Sequence, residues 1–290
     1  MAANISGMRS IAENQRPAPG ELFLDHVAHF VPDLGAAARV AELLGFKVTP
    51  ESAHRAQGAP AGTSNRCIML EEGYIEILAP TLDTPHARRA RYYMARYDGV
   101  HLACFGSPQA EAEHRRLGEH GFEPDPLVSL ERTLEGGGKV RFKVVYVPPA
   151  KMPEGRVQYV EQLAPEAIWT EANLAHANGV TALKAIYVVA DDPAETAARW
   201  ARFSGLLPTP EGALVRLDCT RGRVFVGTQA ELKRVLGAAP AAPGLAGYRL
   251  GCRHPEGFAA RCRSLGLAVH RSSAGHAVSL PASLGGVWLI

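Results

Sequence analysis

The sequence predicts an α+β protein: four tandem βαβββ modules forming two paired, partly closed mixed sheets with helices outside. A strand, a helix and further strands recur four times along the 290 residues, at intervals of roughly 65 to 80. The stretch Tyr74-Ile75-Glu76-Ile77-Leu78-Ala79-Pro80 is nearly repeated by Tyr159-Val160-Glu161-Gln162-Leu163-Ala164-Pro165. The phrases Phe30-Val31-Pro32-Asp33 and Val188-Val189-Ala190-Asp191 each close a first strand and open a helix. A module of this size cannot cover its own sheet, so the modules should pair.

Module one begins with the strand Leu24 to Val31. Good helix formers follow from Gly35 to Leu44, with Asp33 as N-cap and Gly45 as C-cap. The polar segment from Pro50 to Asn65 reads as irregular; apolar runs at Arg66 to Leu70 and Tyr74 to Leu78 then close the module as strands. Thr81 to Asp98 reads as a basic, aromatic helical connector. Module two has a strand at Gly99 to Phe105, a helix at Pro108 to His120 and strands at Lys139 to Val147 and Arg156 to Leu163. Gly136-Gly137-Gly138 precedes a strand and reads as a hairpin turn. Module three runs from the strand Ala182 to Ala190 through the helix Ala194 to Ser204 to strands at Ala213 to Asp218 and Arg223 to Gly227. Beyond the linker Gly237 to Pro243, module four has a strand at Gly247 to Arg253, a helix at Pro255 to Leu265 and closing strands to Ile290. The expected organisation is a loose arm over 1–20, a module pair over 21–165, a linker over 166–180 and a second pair over 181–290.

Composition excludes several classes. An apolar fraction of 47%, a charged fraction of 21% and a net charge of +2 describe an ordinary globular chain. The basic residues are dispersed, with no stripe to follow a nucleic-acid backbone. No apolar run approaches the roughly 20 residues needed to span a bilayer, and the first residues lack a secretory apolar core. Five cysteines without a Cys-x-x-Cys pair suit a reducing compartment. A cytoplasmic monomer or homodimer acting on a small molecule, without nucleic-acid or membrane partners, is the expectation.

Four ionisable residues interrupt apolar strands: His26, Glu76, His101 and Glu161. An unpaired buried charge costs several kcal/mol, so each needs a partner. Pairing the modules would bring all four to one concave surface, where two imidazoles and two carboxylates can hold a divalent metal and leave positions open. The C-terminal pair lacks this set: counting from Asp191 places Lys184 where His26 stands, module four offers Tyr248, and the last strands carry no carboxylate. His29 points to the face opposite His26 and reads as structural.

Tandem modules with His on the first strand and Glu on the last resemble the vicinal oxygen chelate superfamily of glyoxalase, bleomycin-resistance and extradiol dioxygenase proteins. Leu24-Asp25-His26-Val27-Ala28-His29-Phe30-Val31 is similar to the opening of its glyoxalase-like members, as is the turn His176-Ala177-Asn178-Gly179. The resemblance implies His26, Glu76, His101 and Glu161 as ligands of Ni, Zn, Co or Mn. It implies Glu76 or Glu161 as the catalytic carboxylate that shuttles a proton through an enediolate, in a lyase or isomerase. A second branch would use His26, His101 and Glu161 around Fe(II) for extradiol ring cleavage; a third would only bind or sequester a small molecule. Tyr74, Tyr159, Phe105 and His176 are the expected pocket residues.

Overall fold

The computed structural model describes residues 9–133 and 138–290. Eight strands of the N-terminal half close into a barrel: β1 (Phe23–Phe30), β2 (Ser52–Ala56), β3 (Ala59–Met69), β4 (Tyr74–Pro80), β5 (Val100–Gly106), β6 (Val128–Thr133), β7 (Lys139–Tyr146) and β8 (Arg156–Gln162). Their order around the barrel is β1-β4-β3-β2-β6-β7-β8-β5. The two modules therefore join twice, through antiparallel β1·β5 and antiparallel β2·β6. Within each module the first and last strands run parallel: His26 lies beside Tyr74, and Leu102 beside Arg156.

Helices α1 (Leu34–Leu43) and α3 (Ala110–Glu119) cover the barrel's outside, while α2 (Pro85–Met94) sends Ala90 and Tyr93 inward against Phe30 and Leu102. Asp33 caps α1 as expected, its Oδ1 accepting from the Ala36 amide at 2.9 Å. The Pro50 to Asn65 stretch, expected to be irregular, instead supplies β2 and half of β3. Polar residues there face a barrel interior, which gives a strand without an apolar stripe. The turn into β4 needs Gly73: its φ is +79°, and a Cβ there would stand 2.7 Å from the Asp25 carbonyl oxygen.

Beyond the short helix α4 (Glu171–Leu174) the C-terminal half repeats the plan as an open sheet. It contains β9 (Val180–Val189), β10 (Pro208–Glu211), β11 (Leu214–Asp218), β12 (Arg223–Gly227), β13 (Gly244–Cys252), β14 (Val269–Ser272), β15 (Gly275–Ser279) and β16 (Val287–Leu289), with α5 (Pro193–Ser204), α6 (Gln229–Leu236) and α7 (Pro255–Ser264). The order is β10-β11-β12-β9-β13-β16-β15-β14. Only the β9·β13 join is made; the four-residue strands β10 and β14 stay at the edges, and Pro208 and Pro210 remove two donors from β10. The helix α6, absent from the sequence expectation, lays Leu232 and Leu236 on Tyr187, Phe225, Val287 and Leu289. Beside this apolar patch Arg216, Asp218, Arg223 and Arg249 line an open cleft.

The two halves share one core, in which Leu24, Val27, Ala103 and Phe105 of the barrel's outer face meet Leu183, Ile186, Leu245 and Tyr248. At its centre His29 bonds the Leu284 carbonyl oxygen through Nδ1 at 3.0 Å and the Tyr248 hydroxyl through Nε2 at 2.9 Å; Trp288 Nε1 donates to the same hydroxyl. Lys184 pairs with Glu72 of the N-terminal half. The expected loose arm is held down over its described part, for Gln15 is buried and bonds Glu71 and Gly73. Residues 1–8 of that arm, with Gly136 and Gly137 of the expected turn, lie outside the described residues. No helix among the described residues is long and apolar enough to cross a membrane.

Tyr248→Phe removes the hydroxyl that serves both His29 and Trp288, leaving buried polar nitrogens unpartnered. A loss of about 1–3 kcal/mol is expected in urea unfolding, with an unchanged m-value; a neutral outcome would show that the two halves do not depend on this contact.

Candidate functional site: the barrel interior

The alternation of strand side chains decides what enters the barrel. On β4, Tyr74, Glu76 and Leu78 face in, while Ile75 and Ile77 join the core under α1. On β8 the inward residues are Arg156, Gln158 and Val160. The likeness of the two sequence stretches is therefore out of phase with the barrel, and a shift of an odd number of residues sends each side chain to the opposite face. Glu161 lies outside, where its Oε2 accepts from the Ala110 amide at the start of α3 at 3.0 Å and stands 3.7 Å from Lys143 Nζ. Tyr159 likewise faces out, stacked on Phe203 with ring centroids 5.1 Å apart.

His101 also belongs elsewhere. Its Nδ1 accepts from the Phe30 amide at 3.2 Å and its Nε2 bonds the Tyr97 carbonyl oxygen at 2.7 Å, so both nitrogens are engaged. Phe105 packs with Trp200 and Phe203 outside the barrel, and His176 bridges the Lys47 amide and the Met69 carbonyl oxygen. Of the expected residues, His26, Glu76 and Tyr74 share the interior; His101, Glu161, Tyr159, Phe105 and His176 do not.

His26 Nδ1 lies 2.6 Å from Asp25 Oδ1. A carboxylate only accepts, so Nδ1 carries the proton of this bond. The ring stacks on Tyr74 at 4.2 Å between centroids. Asp25 reaches inward because β1 is irregular between Leu24 and His26 in its pairing with β5, and Gly106 leaves room: a Cβ there would stand 3.3 Å from Asp25 Oδ2. Gln162 Nε2 also donates to Asp25 Oδ1, at 3.3 Å.

Glu76 accepts from Asn65 Nδ2 at 2.6 Å and has His54 Nε2 at 3.7 Å. Burial by itself raises its carboxyl, but His54, His26, the Asn65 amide and Arg132 together hold it below the usual range. Of these, Arg132 is the permanent cation; it donates to Asn65 Oδ1 at 3.1 Å and to Cys67 Sγ at 3.3 Å. His54, bonded to Thr63 Oγ1 at 2.9 Å, is lowered to about 4 by burial and is a neutral imidazole at pH 7. Arg156 has a different setting. Its guanidinium lies 4.4 Å from the centre of the Tyr146 ring, only 7% of the residue is exposed, and among the described residues its Nε has no partner. His54, Asn65, Arg132 and Arg156 were not among the sequence candidates. No motif marks them; an arginine opening an apolar strand was the available signal.

The donors do not fit a metal centre. The inward positions of module two that correspond to His26 and Glu76 hold Leu102 and Cys104 on β5 and Gln158 and Val160 on β8. Burial pushes the Cys104 thiol well above its ordinary range, and Gln158 donates to its sulfur at 3.6 Å. No group of three or more His, Cys, Asp or Glu able to hold an ion exists among the described residues.

The profile of a glyoxalase-like domain family matches residues 24–204. No protein of curated function matches in sequence. Among solved structures, a hypothetical protein from Staphylococcus aureus is similar at 12% identity and a TM-score of 0.66, over 92% of this chain and 98% of that one. A mutant of 4-hydroxymandelate synthase from Streptomyces coelicolor is similar at 14% identity and 0.53, over 92% and 91%. The Mn(II)-bound glyoxalase from Novosphingobium aromaticivorans is similar at 12% identity and 0.53, over 92% and 80%. These likenesses establish a shared fold.

Two outcomes are expected. Elemental analysis of the purified protein should return well under one equivalent of Ni, Zn, Co, Mn or Fe, and EDTA should leave the melting temperature unchanged; a stoichiometric ion lost in His26→Ala would overturn the donor argument. Burial lowers His29 to about 3 and His54 and His101 to about 4. The unfolded chain protonates these rings below about 6.5 while the fold keeps them neutral, so stability is full above that pH and falls between it and pH 4. Each histidine contributes about 1 kcal/mol per pH unit in that window, measurable as a falling urea midpoint.

Proposed function

Because the chain belongs to the glyoxalase-like domain family, we propose that the barrel interior binds a small substrate with adjacent carbonyl and hydroxyl groups and moves a proton between the two carbons. The reading rests on one observation: His26, held by Asp25, and Glu76 line the same barrel cavity. It is the lyase or isomerase branch of the expectation, carried by groups of this chain.

His26 Nε2 takes the proton from the hydroxyl-bearing carbon, and the electron pair of the broken C–H bond passes to the carbonyl oxygen, forming an enediolate. Asp25 holds the imidazole in the tautomer this requires and stabilises the resulting imidazolium. Arg132, whose Nε has no partner among the described residues, adds positive charge on the Glu76 side of the cavity, where negative charge develops on the substrate oxygens. His26 then returns the proton to the neighbouring carbon. The hydroxyl proton passes to the former carbonyl oxygen, with the Glu76 carboxylate as carrier. Carbonyl and hydroxyl have exchanged places, and no atom is gained or lost. Glu76 is suited to this because its lowered carboxyl stays ionised across the neutral range.

The test is deuterium incorporation from D2O, followed by proton NMR, into hydroxyacetone, glyceraldehyde and hydroxypyruvate above their enzyme-free rates. At least one probe should exchange. His26→Gln should lower the rate by about 10²-fold or more and Glu76→Gln by about tenfold or more, whereas Glu161→Gln should leave it unchanged. Absence of catalysed exchange with all three probes, or equal loss on Glu161→Gln, would overturn the reading.

A further inference from the structure

Charge inside the barrel is uneven. Arg132 is joined to Glu76 through Asn65, and Asp25 is bonded by the His26 ring and Gln162. Arg156 is matched by nothing: it is buried, stacked on Tyr146, and without an ion-pair partner among the described residues. An uncompensated buried cation is strongly destabilising, so proteins rarely keep one without use. Arg89, whose guanidinium lies 5.2 Å from the centre of the same ring, does not share this state, for it pairs with Asp125.

Two further atoms of the same cavity lack partners. Gln158 Oε1, two residues along β8, is a buried acceptor, and His86 Nε2 on α2 is a buried ring nitrogen next to Tyr146. The walls between them are apolar: Leu78, Leu102, Leu130, Phe142 and Val144. A ligand that satisfies these atoms carries one negative charge for the guanidinium, a hydroxyl to donate to Gln158 and a compact carbon skeleton.

The geometry points to Arg156 as the anchor for the carboxylate of a small monocarboxylic acid whose neighbouring carbons bear the carbonyl and hydroxyl groups. This rests on the proton-transfer reading of the same cavity and names its substrate class. A planar guanidinium accepts a carboxylate through two parallel N–H bonds, and stacking on Tyr146 fixes the plane of that fork. A single anchored carboxylate gives Arg156 the ion-pair partner it lacks among the described residues. Arg156 is thus a positioning residue for the end of the substrate that does not react.

The experiment uses the full chain and four probes: hydroxypyruvate, lactate, hydroxyacetone as the neutral counterpart, and inorganic phosphate. Binding is followed by calorimetry and thermal shift. Hydroxypyruvate and lactate are expected to bind and to raise the melting temperature, and hydroxyacetone to bind far more weakly. Arg156→Met should weaken carboxylate binding by about 10- to 100-fold and leave hydroxyacetone unaffected. Without ligand, Arg156→Met should melt no lower than the wild type, since it removes an unmatched charge. A purely structural arginine would give the reverse, with a lower melting temperature and unchanged binding. Arg156→Lys keeps the charge without the fork and should recover only part of the affinity. Phosphate binding as tightly as the carboxylates would overturn the assignment to a carboxylate.

His26→Gln separates this inference from the reaction on which it rests. If that variant still binds hydroxypyruvate and no protein form catalyses exchange, the proton-transfer reading fails and the carboxylate site stands. If exchange occurs only with neutral probes and Arg156→Met changes nothing, the reaction stands and the carboxylate assignment fails.

Discussion

Closing an eight-stranded sheet on itself places every second side chain of each strand in a space cut off from bulk water. An ionisable group inside is costly without a partner there, and most of the site follows from that demand. Asp25 takes the His26 ring, Asn65 and His54 take Glu76, and Arg132 supplies the fixed positive charge near them. In water such contacts would be worth little; inside the barrel, loss of either partner leaves a charge or a donor stranded. The neutral state of His54 at pH 7 follows from the same cause, since burial disfavours its charged form more than Glu76 favours it.

The C-terminal half shows what happens to the same plan without that closure. Its edge strands β10 and β14 are short, and on the face that corresponds to the barrel lining α6 lays Leu232 and Leu236 over Tyr187 and Phe225, beside an open cleft lined by Arg216, Asp218, Arg223 and Arg249. Its contribution is mechanical. Through Tyr248, Trp288 and Leu284 it holds His29, and thereby the outer face of the strand whose inner face carries His26. The C-terminal half thus supports the His26 strand from behind.

Much of this was legible in the sequence. Recurring strand and helix patterns give the modules, because covering a sheet leaves an apolar period behind, and His26 and Glu76 stand out because a polar residue inside an apolar run is conspicuous. Glu161 and His101 stand out for the same reason, yet conspicuousness does not fix a face. The Tyr-x-Glu-x-Leu likeness holds for spacing, while the pairing of β5 with β8 sets which parity points inward, and that depends on partners more than fifty residues away. His54, Thr63 and Asn65 were hidden by the opposite effect. A strand that turns polar residues into a barrel has the composition of a loop, so β2 and the first half of β3 carried no signal.

The interior also explains why half of a ligand set differs from a weakened whole one. A divalent ion needs several donors at once, each fixed by groups behind it. Module one keeps such a pair, His26 with Asp25 behind it and Glu76 with Asn65 behind it, while module two offers Leu102, Cys104, Gln158 and Val160. Positive charge has not vanished with the missing donors; it is present as Arg132 and Arg156. A guanidinium does not polarise an oxygen as an ion does, but it binds oxyanions with defined direction and cannot be deprotonated at any working pH. Arg132 and Arg156 thus bring directed N–H donors into the same interior as His26 and Glu76.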